Sequence, residues 1–209
     1  MISHSTLITF AMTAFVITLM PGPDNIYVLS RGITQGRKVA LMATLGLSLG
    51  VIIHTTFAIV GLSALLQASA VAFQFIKYAG VTYLLYLGVK AILSKSSFAI
   101  GKQGQRGTAY SVFWQSVLMN LLNPKVALLF LAFLPQFIDL KRGYVAVQML
   151  LLGILFMVNT LLVFGLIAYF SGSVGNWLRR KPTFANKLKF VTGSVFILLA
   201  ALLALPDHN

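Results

Sequence analysis

The sequence has no cysteine and no glutamate, and its only acids are Asp24, Asp139 and Asp207. The absence of cysteine excludes disulfides, thiol nucleophiles and thiolate metal sites. Three scattered carboxylates and three histidines provide no cluster at metal-ligand spacing, so no metal site is predicted. There is also no paired-carboxylate or Ser–His–Asp arrangement and no GxxxxGK[ST] phosphate loop. We therefore predict neither an enzyme nor a cofactor.

Charge of either sign is scarce: 9% of the residues are charged and 58% are hydrophobic, whereas soluble domains have about 25% charged residues. The apolar residues form six blocks, each near or above the roughly 17–25 residues that a transmembrane helix needs. The blocks are 7–30, 39–66, 68–93, 111–137, 144–170 and 188–205. The sequence thus predicts an all-α, polytopic membrane protein with six transmembrane helices, as one transporter domain over residues 1–209.

The net charge of +13 would suggest nucleic-acid binding in a soluble protein. Here the basic residues lie mainly in the linkers 31–38, 94–110 and 171–189, and few lie in the alternate linkers. Because cytoplasmic loops of membrane proteins are rich in Lys and Arg, this pattern predicts that the basic linkers are cytoplasmic. Both termini are then extracytoplasmic, the partner surface is the lipid bilayer, and no nucleic-acid partner is predicted.

Two helix-breaking motifs interrupt apolar blocks, MPGPDN (Met20–Asn25) and NLLNPK (Asn120–Lys125). They occupy corresponding places in two weakly similar halves, about 1–94 and 110–205. A half with three spans delivers the chain to the other side of the membrane, so the second half would be inverted. Inverted repeats with broken first helices at matching positions indicate a secondary transporter whose site lies near the midplane.

Each break predicts an opening in a helix. Proline removes a backbone N–H and disrupts the preceding turn, and irregular backbone at membrane depth survives only inside protein or beside a cavity. The helical segment after each break presents free N–H groups and a positive dipole end, which suit a carboxylate. The predicted substrate-binding residues are Pro21, Gly22, Pro23, Asp24, Asn25, Asn123, Pro124 and Lys125.

Asp24 is the only acid within a predicted span, and such residues usually face a cavity or a partner. It could bind a substrate ammonium, carry a coupling proton, or cap the half-helix that follows the break. His54 could relay protons or be a satisfied interior residue. Other candidates for the cavity wall, or for contacts between helices, are Gln115, Asn120 and Asn159. Gly46 and Gly50 predict close helix packing, within the bundle or between two copies.

The motif MPGPDN, the glycine-rich segment TLGLSLG and the stretch NLLNPKVALLFLAFLPQFID resemble the LysE-type exporters, the lysine, threonine and homoserine-lactone efflux family. The resemblance covers about residues 10–205. It implies six helices, the inner membrane of a bacterium, proton-coupled export of amino acids or close derivatives, and a homodimer. Pro21–Asn25 and Asn123–Lys125 match the two family motifs. Many members have an acid after the second-helix glycines, where this chain has Val51, which disfavours a dicationic substrate.

Together these features predict a secondary active exporter that works by alternating access. Neutral or zwitterionic solutes such as threonine, homoserine or homoserine lactone are favoured. Two alternatives stay open: a small-solute channel, which would use the same broken helices without a coupling group, and an integral membrane protein that transports nothing.

Overall fold

The computed structural model describes residues 2–68, 70–93, 107–180 and 182–204, and within these ranges every regular element is helical. This confirms the predicted all-α class. The α-helices are α1 (His4–Leu19), α2 (Pro23–Gln35), α3 (Arg37–Ala68), α4 (Ala70–Leu93), α5 (Ala109–Leu121), α6 (Pro124–Leu128), α7 (Val145–Tyr169), α8 (Ser171–Arg180) and α9 (Pro182–Ala204). Helical turns of other types continue α6 over Leu129–Phe133 and Leu134–Phe137, and a short turn follows at Leu140–Arg142.

Both predicted breaks are present. α1 ends at Leu19, α2 begins at Pro23, and the two axes are bent by 59°. The bend between α5 and the helical turns from Pro124 to Phe137 is 53°. In each case proline is the first residue of the new helix, where its missing N–H costs nothing and its fixed φ favours the helix.

The turns after α6 change pitch around a third proline. Leu129–Phe133 is a wide π-helical turn, and Leu134–Phe137 is a tight 3₁₀ turn that contains Pro135. Proline cannot donate the bond that a regular helix requires and its ring crowds the preceding turn, which accounts for the irregular pitch here. The second broken helix is therefore less regular than the first.

Within the described ranges, two unbroken helical stretches are long and apolar enough to cross a membrane, Arg37–Gly61 and Val145–Tyr169. Counting each bent pair as one span raises the number to four. α4 and α9 occupy the two remaining apolar blocks, and in α9 the apolar part is the shorter segment Lys189–Ala204. The prediction of a helical membrane protein is thus confirmed, and the number of six spans stays a prediction.

Glycines set the closest helix contacts and reveal the relative directions of the helices. A side chain at Gly46 would meet the backbone of Phe113, and one at Gly50 would meet Asn120, so α3 and α5 run parallel. At the α4–α9 contact a side chain at Gly88 would meet Ile197, and one at Gly193 would meet Ile92, so these two helices run antiparallel. Gly46 and Gly50 therefore serve packing within the chain.

Two predicted linkers are helical in the structure. α2 continues to Gln35, so Arg31 lies inside this helix with only 7% of its surface exposed. Most of the segment 171–189 forms α8 and the start of α9. Residues 94–106, the middle of the most polar predicted linker, lie outside the described ranges. The sequence patterns placed these segments in loops because their charges and glycines obscure the amphipathic helices that they form.

We call the end of the bundle where α2 gives way to α3 the basic face. The Gln35 side-chain amide donates to the carbonyl of Gly107, which precedes α5, over 3.0 Å. The Arg37 guanidinium lies 4.5 Å from the ring centre of Tyr169 at the end of α7. At the other end of α7 the buried amide of Gln148 bonds to the backbone of Asp139 and Gly143, and these bonds hold that turn against the bundle.

Candidate functional site

The two breaks, far apart in sequence, lie against each other. The side-chain amides of Asn123 and Asn120 donate to the two carboxylate oxygens of Asp24, over 3.1 Å and 3.3 Å. Asn123 also accepts a bond from the backbone N–H of Lys125 and so caps α6. Asp24 in the first half is thereby tied to the start of the broken helix in the second half.

The neighbouring amide of Asn25 secures the first break itself. Its Nδ2 donates to the carbonyl of Thr18 over 2.9 Å. Thr18 lies in the last turn of α1, where carbonyls lack helical partners, and lipid offers no substitute. The Asn25 side chain therefore supports the broken backbone.

The capping role considered for Asp24 is wrong. Gly22 is the N-cap residue of α2, and no side chain makes a capping bond there. Asp24 lies one residue inside the helix and is 7% exposed. Its carboxylate faces the second break instead of the N–H groups of its own helix, because the extended backbone of Gly22 starts the helix two residues before Asp24.

The paired breaks separate two cavities of very different size. The larger, which we call the vestibule, has a volume of about 790 Å³, and the smaller has a volume of about 30 Å³. Four residues line both cavities: Gly22, Pro23, Asn123 and Lys125. Pro21 and Pro124 line only the vestibule, whereas Asp24 and Asn25 line only the small cavity. All eight predicted substrate-binding residues thus lie at this partition.

The volumes limit what each cavity can hold. Small-molecule sites usually measure about 300–1,000 Å³, so the vestibule can accept an amino acid. The small cavity has room for about two water molecules. Its walls include the polar side chains of Asn120 and Thr160 beside apolar ones such as Phe156. An amino acid could pass from the vestibule through this region only if the helices moved.

The vestibule extends from the breaks to the basic face. Its lining follows one side of α2 from Pro23 to Thr34, close to the end of that helix at Gln35. On the facing wall the lining follows α4 from Tyr83 to Ala91, close to its end at Leu93. The structure therefore has a cavity that reaches the basic face and stops at the two breaks.

Lys125 projects into the partition from the first turn of α6. Its ammonium lies 5.2 Å from the ring centre of Phe196 in α9, a cation–π arrangement. A side-chain carbon at Gly22 would lie 3.5 Å from the same ammonium. Lys125 therefore brings a full positive charge beside the N-terminus of α2, and the two together favour an anionic group at this point.

His54 lies next to the site but lines neither cavity. Its Nε2 bonds to the backbone carbonyl of Asn120 over 3.1 Å, and its ring stacks on Phe130 with 5.7 Å between centres. Because a carbonyl can only accept, Nε2 must carry the proton in this bond. The side-chain Oδ1 of Asn120 is buried and has no hydrogen-bond partner among the described residues.

The other two cavity candidates differ. Gln115 lines the vestibule, and its Oε1 accepts from the Tyr27 hydroxyl and from Arg31, each over 2.9 Å. Asn159 lines neither of the two cavities formed by described residues, and its amide donates to the carbonyl of Leu155 in its own helix. Asn159 is 8% exposed, and this bond satisfies it within α7.

The sequence reading missed the polar side of α2. Tyr27, Ser30, Arg31 and Thr34 all line the vestibule, at the spacing of one helical face. That spacing predicts a polar helical face, but the positive charge of Arg31 also fits a linker that orients the protein. Within the described ranges, no three His, Cys, Asp or Glu residues come together in a way that could hold a metal ion.

Long apolar helices, two of them broken where they enclose a polar partition, define an integral membrane protein of the transporter type. A family model described as LysE type translocator matches residues 15–206. The chain belongs to this family.

Characterised and uncharacterised relatives cover almost the whole chain. It is 31% identical to an uncharacterized membrane protein of Bacillus subtilis, over 93% of this chain and 95% of the relative. It is 30% identical to a leucine efflux protein of Enterobacter, over 94% and 93%. It is also 30% identical to a homoserine/homoserine lactone efflux protein of Salmonella typhi, over 95% and 96%. No solved structure matches the chain.

Proposed function

We propose that the chain is a secondary active exporter of amino acids or close derivatives, and that the substrate binds where the two breaks meet. The observation that carries this proposal is the partition itself. Residues from both breaks line a vestibule large enough for an amino acid, and the same residues close it from the small cavity. The names of the leucine and homoserine/homoserine lactone efflux proteins support the substrate class.

The proposed binding mode follows from the charges. The substrate carboxylate lies against Lys125 and the N-terminus of α2, whereas Asp24, 7% exposed beyond the partition, attracts the substrate ammonium. The same carboxylate is the candidate carrier of a coupling proton, since it is the only acid among the described residues that line the two cavities. His54 is a lesser candidate, because its ring lies behind Asn120 and outside both cavities.

The proposed architecture is two inverted three-helix repeats, about 1–94 and 110–205, that rock around this site. The helix directions support it. α3 runs parallel to α5, and α1 also runs alongside α7 in the same direction, because Phe10 neighbours Phe156 while Ile17 shares a cavity with Phe164. A twofold relation between the halves would exchange these two helix pairs, as alternating access by inverted repeats requires.

The proposed orientation places the basic face in the cytoplasm of a bacterium, with the protein in the inner membrane and both termini outside. In this orientation the vestibule opens to the cytoplasm, so the structure corresponds to the state that loads substrate for export. The homodimer implied by the family resemblance stays a prediction, and Gly46 and Gly50 do not support it because they contact α5 of the same chain.

An efflux screen tests the function. Cells that express the chain and cells that lack it are preloaded with labelled leucine, threonine, homoserine or homoserine lactone, and the release of each label is followed. We expect a severalfold faster release of at least one of these solutes, which an uncoupler of the proton gradient slows. Equal release of all four from both kinds of cell would contradict the proposal.

A further inference from the structure

We propose that Arg31 and Lys90 form a pair of cations at the mouth of the vestibule. This cationic pair selects substrates that carry a free carboxylate and no surplus positive charge. This proposal rests on the proposed function and narrows its substrate class. Free leucine or homoserine would be accepted, whereas a lactone, an amino-acid amide or lysine would be disfavoured. The cationic pair is distinct from Lys125, which lies deeper, at the partition.

Arg31 is fixed in position on the α2 wall. Its guanidinium donates to the side-chain oxygens of Gln115 and Gln35 and lies 5.0 Å from the ring centre of Tyr27. It lines the vestibule although only 7% of the residue is exposed. These contacts fix the positive charge of Arg31 at the wall of the vestibule, where it contributes to the field that an anion meets.

Lys90 supplies the second charge from the facing wall. It lies in the last turn of α4, its ammonium is 5.3 Å from the ring centre of Tyr86, and it lines the vestibule. Arg31 lies one turn before the end of α2 at Gln35, as Lys90 lies near the end of α4. At a helical rise of about 1.5 Å per residue, Arg31 is roughly 10 Å along α2 from the level of Asp24. A single amino acid cannot reach both levels at once, so the cationic pair acts on the substrate before it reaches the central site.

The vestibule has charge of one sign. Its lining, as far as the structure describes it, contains Arg31, Lys90 and Lys125 and no carboxylate. Of the three acids in the chain, Asp24 lies beyond the partition, Asp139 pairs with Arg142 over 2.8 Å, and Asp207 is outside the described ranges. A cavity with low-dielectric walls focuses such a field, which attracts anions and repels cations.

The consequence differs among closely related solutes. A zwitterionic amino acid can turn its carboxylate toward the cationic pair and keep its ammonium away from it. Homoserine lactone and leucinamide have an amino group but no carboxylate, so their protonated forms meet only repulsion. Lysine has a carboxylate but a net positive charge. Selection at the mouth would therefore separate free homoserine from its lactone, two solutes that the names of the relatives do not separate.

The test uses the purified full-length chain in liposomes, with exchange of labelled leucine or homoserine, whichever the wild type transports. We expect leucinamide and lysine to compete at least about tenfold less well than leucine. A factor of this size is expected for the loss of one charge-assisted hydrogen bond to the substrate. We expect Arg31→Gln to raise KM about tenfold, Lys90→Gln to raise it roughly two- to fivefold, and both to reduce the discrimination against leucinamide. Arg31→Lys should restore part of the discrimination.

Lys38→Gln is the matched control, because Lys38 is exposed at the same face and does not line the vestibule. Since Lys90 is exposed, its replacement should leave folding intact, so the test does not depend on the buried Arg31. The proposal would be overturned if leucinamide competed as well as leucine with the wild type, or if Lys90→Gln left KM and the competitor ranking unchanged. An absence of exchange for every amino acid would instead overturn the proposed function.

Discussion

Asp24 is held by amides from the opposite half of the chain, over 3.1 Å from Asn123 and 3.3 Å from Asn120. Such an arrangement stabilises a carboxylate by hydrogen bonds and leaves it next to a small cavity whose walls are mainly apolar. It also makes the carboxylate sensitive to the relative position of the two breaks. A change of its charge state or its contacts would therefore bias the packing of the two halves.

Asp24→Asn should impair coupled transport strongly while leaving the protein folded. Asparagine has almost the same shape, but its NH₂ group would face one of the two donor amides, so one bond is lost and the charge disappears. We expect the rate of amino-acid exchange to fall at least about tenfold, with normal insertion and yield. Transport kinetics in liposomes are the measurement, and wild-type kinetics in the variant would show that Asp24 has no role in transport.

Lys125→Ala should weaken the binding of substrates that have a carboxylate. Among the described residues, Lys125 is the only one whose ammonium is shared by the linings of both cavities, so we expect KM for leucine to rise about tenfold or more, as for the loss of a charged hydrogen-bond donor. Lys38→Ala, an exposed site outside the cavities, is the control. If KM were the same in Lys125→Ala as in the control, the role of Lys125 would be structural.

At the residue scale, the sequence identified the partition but, apart from Gln115, not the polar residues that line the rest of the vestibule. The eight predicted residues could be found because Pro and Gly interrupt apolar blocks, and this contrast is evident in the sequence itself. Arg31 could not be assigned in the same way, because a basic residue near a helix end also serves to orient a membrane protein. Asn159 was selected for its polarity alone, and a polar side chain can also be satisfied by its own helix.

The elements that carry the site are joined at glycines. α3 contacts α5 through Gly46 and Gly50, and it contacts α7 where Thr55 meets Gly153. Gly50 lies directly against the side chain of Asn120, the residue that also bonds to Asp24. Close packing of α3 and α5 therefore positions part of the site as well as stabilising the bundle.

Gly46→Leu should destabilise the protein, because a side chain there would run into the backbone of Phe113. Overpacking of this kind costs about 1–3 kcal/mol, so we expect a lower melting temperature for the purified protein in detergent. Gly165→Leu is the matched control on α7, since a Cβ atom added there has nothing within 4 Å. Equal melting temperatures for the two variants would contradict the close contact between α3 and α5.

The observed helix boundaries agree with the sequence pattern at some positions and differ from it at others. The apolar block 7–30 predicted one interrupted span and the structure divides it at Leu19 and Pro23, as the prolines require. The start of α9 at Pro182 was missed, since hydropathy detects the part of a helix that faces lipid and not its polar first turns. The wide turn before Pro135 was also not predicted, although this proline accounts for its pitch.

On the scale of the whole molecule, the vestibule and the small cavity lie on opposite sides of one partition. A channel would require a path past Gly22, Pro23, Asn123 and Lys125, and these residues close the vestibule here. A carrier needs this kind of barrier, because substrate must never have access to both sides at once. Alternating access would open the small cavity by moving the halves that meet at Asp24 and Asn123.

The proposed orientation can be tested directly, since the chain has no cysteine and any introduced thiol is unique. We expect Lys102→Cys to react with an impermeant maleimide only after the cells are opened, because residue 102 lies in a predicted cytoplasmic linker. Lys141→Cys, exposed in the turn on the opposite side, should react in intact cells. The reverse pattern would invert the orientation, and with it the direction in which the vestibule opens.

Counterflow in liposomes tests the central claim, that solute is carried by alternating access around the paired breaks. Liposomes that contain the purified protein and unlabelled leucine or homoserine are diluted into a trace of the same labelled solute. A carrier predicts that the internal label rises transiently, severalfold above its external concentration, for at least one of these solutes. A label that merely equilibrates, at a rate that does not depend on unlabelled solute inside, would contradict the account and indicate a channel.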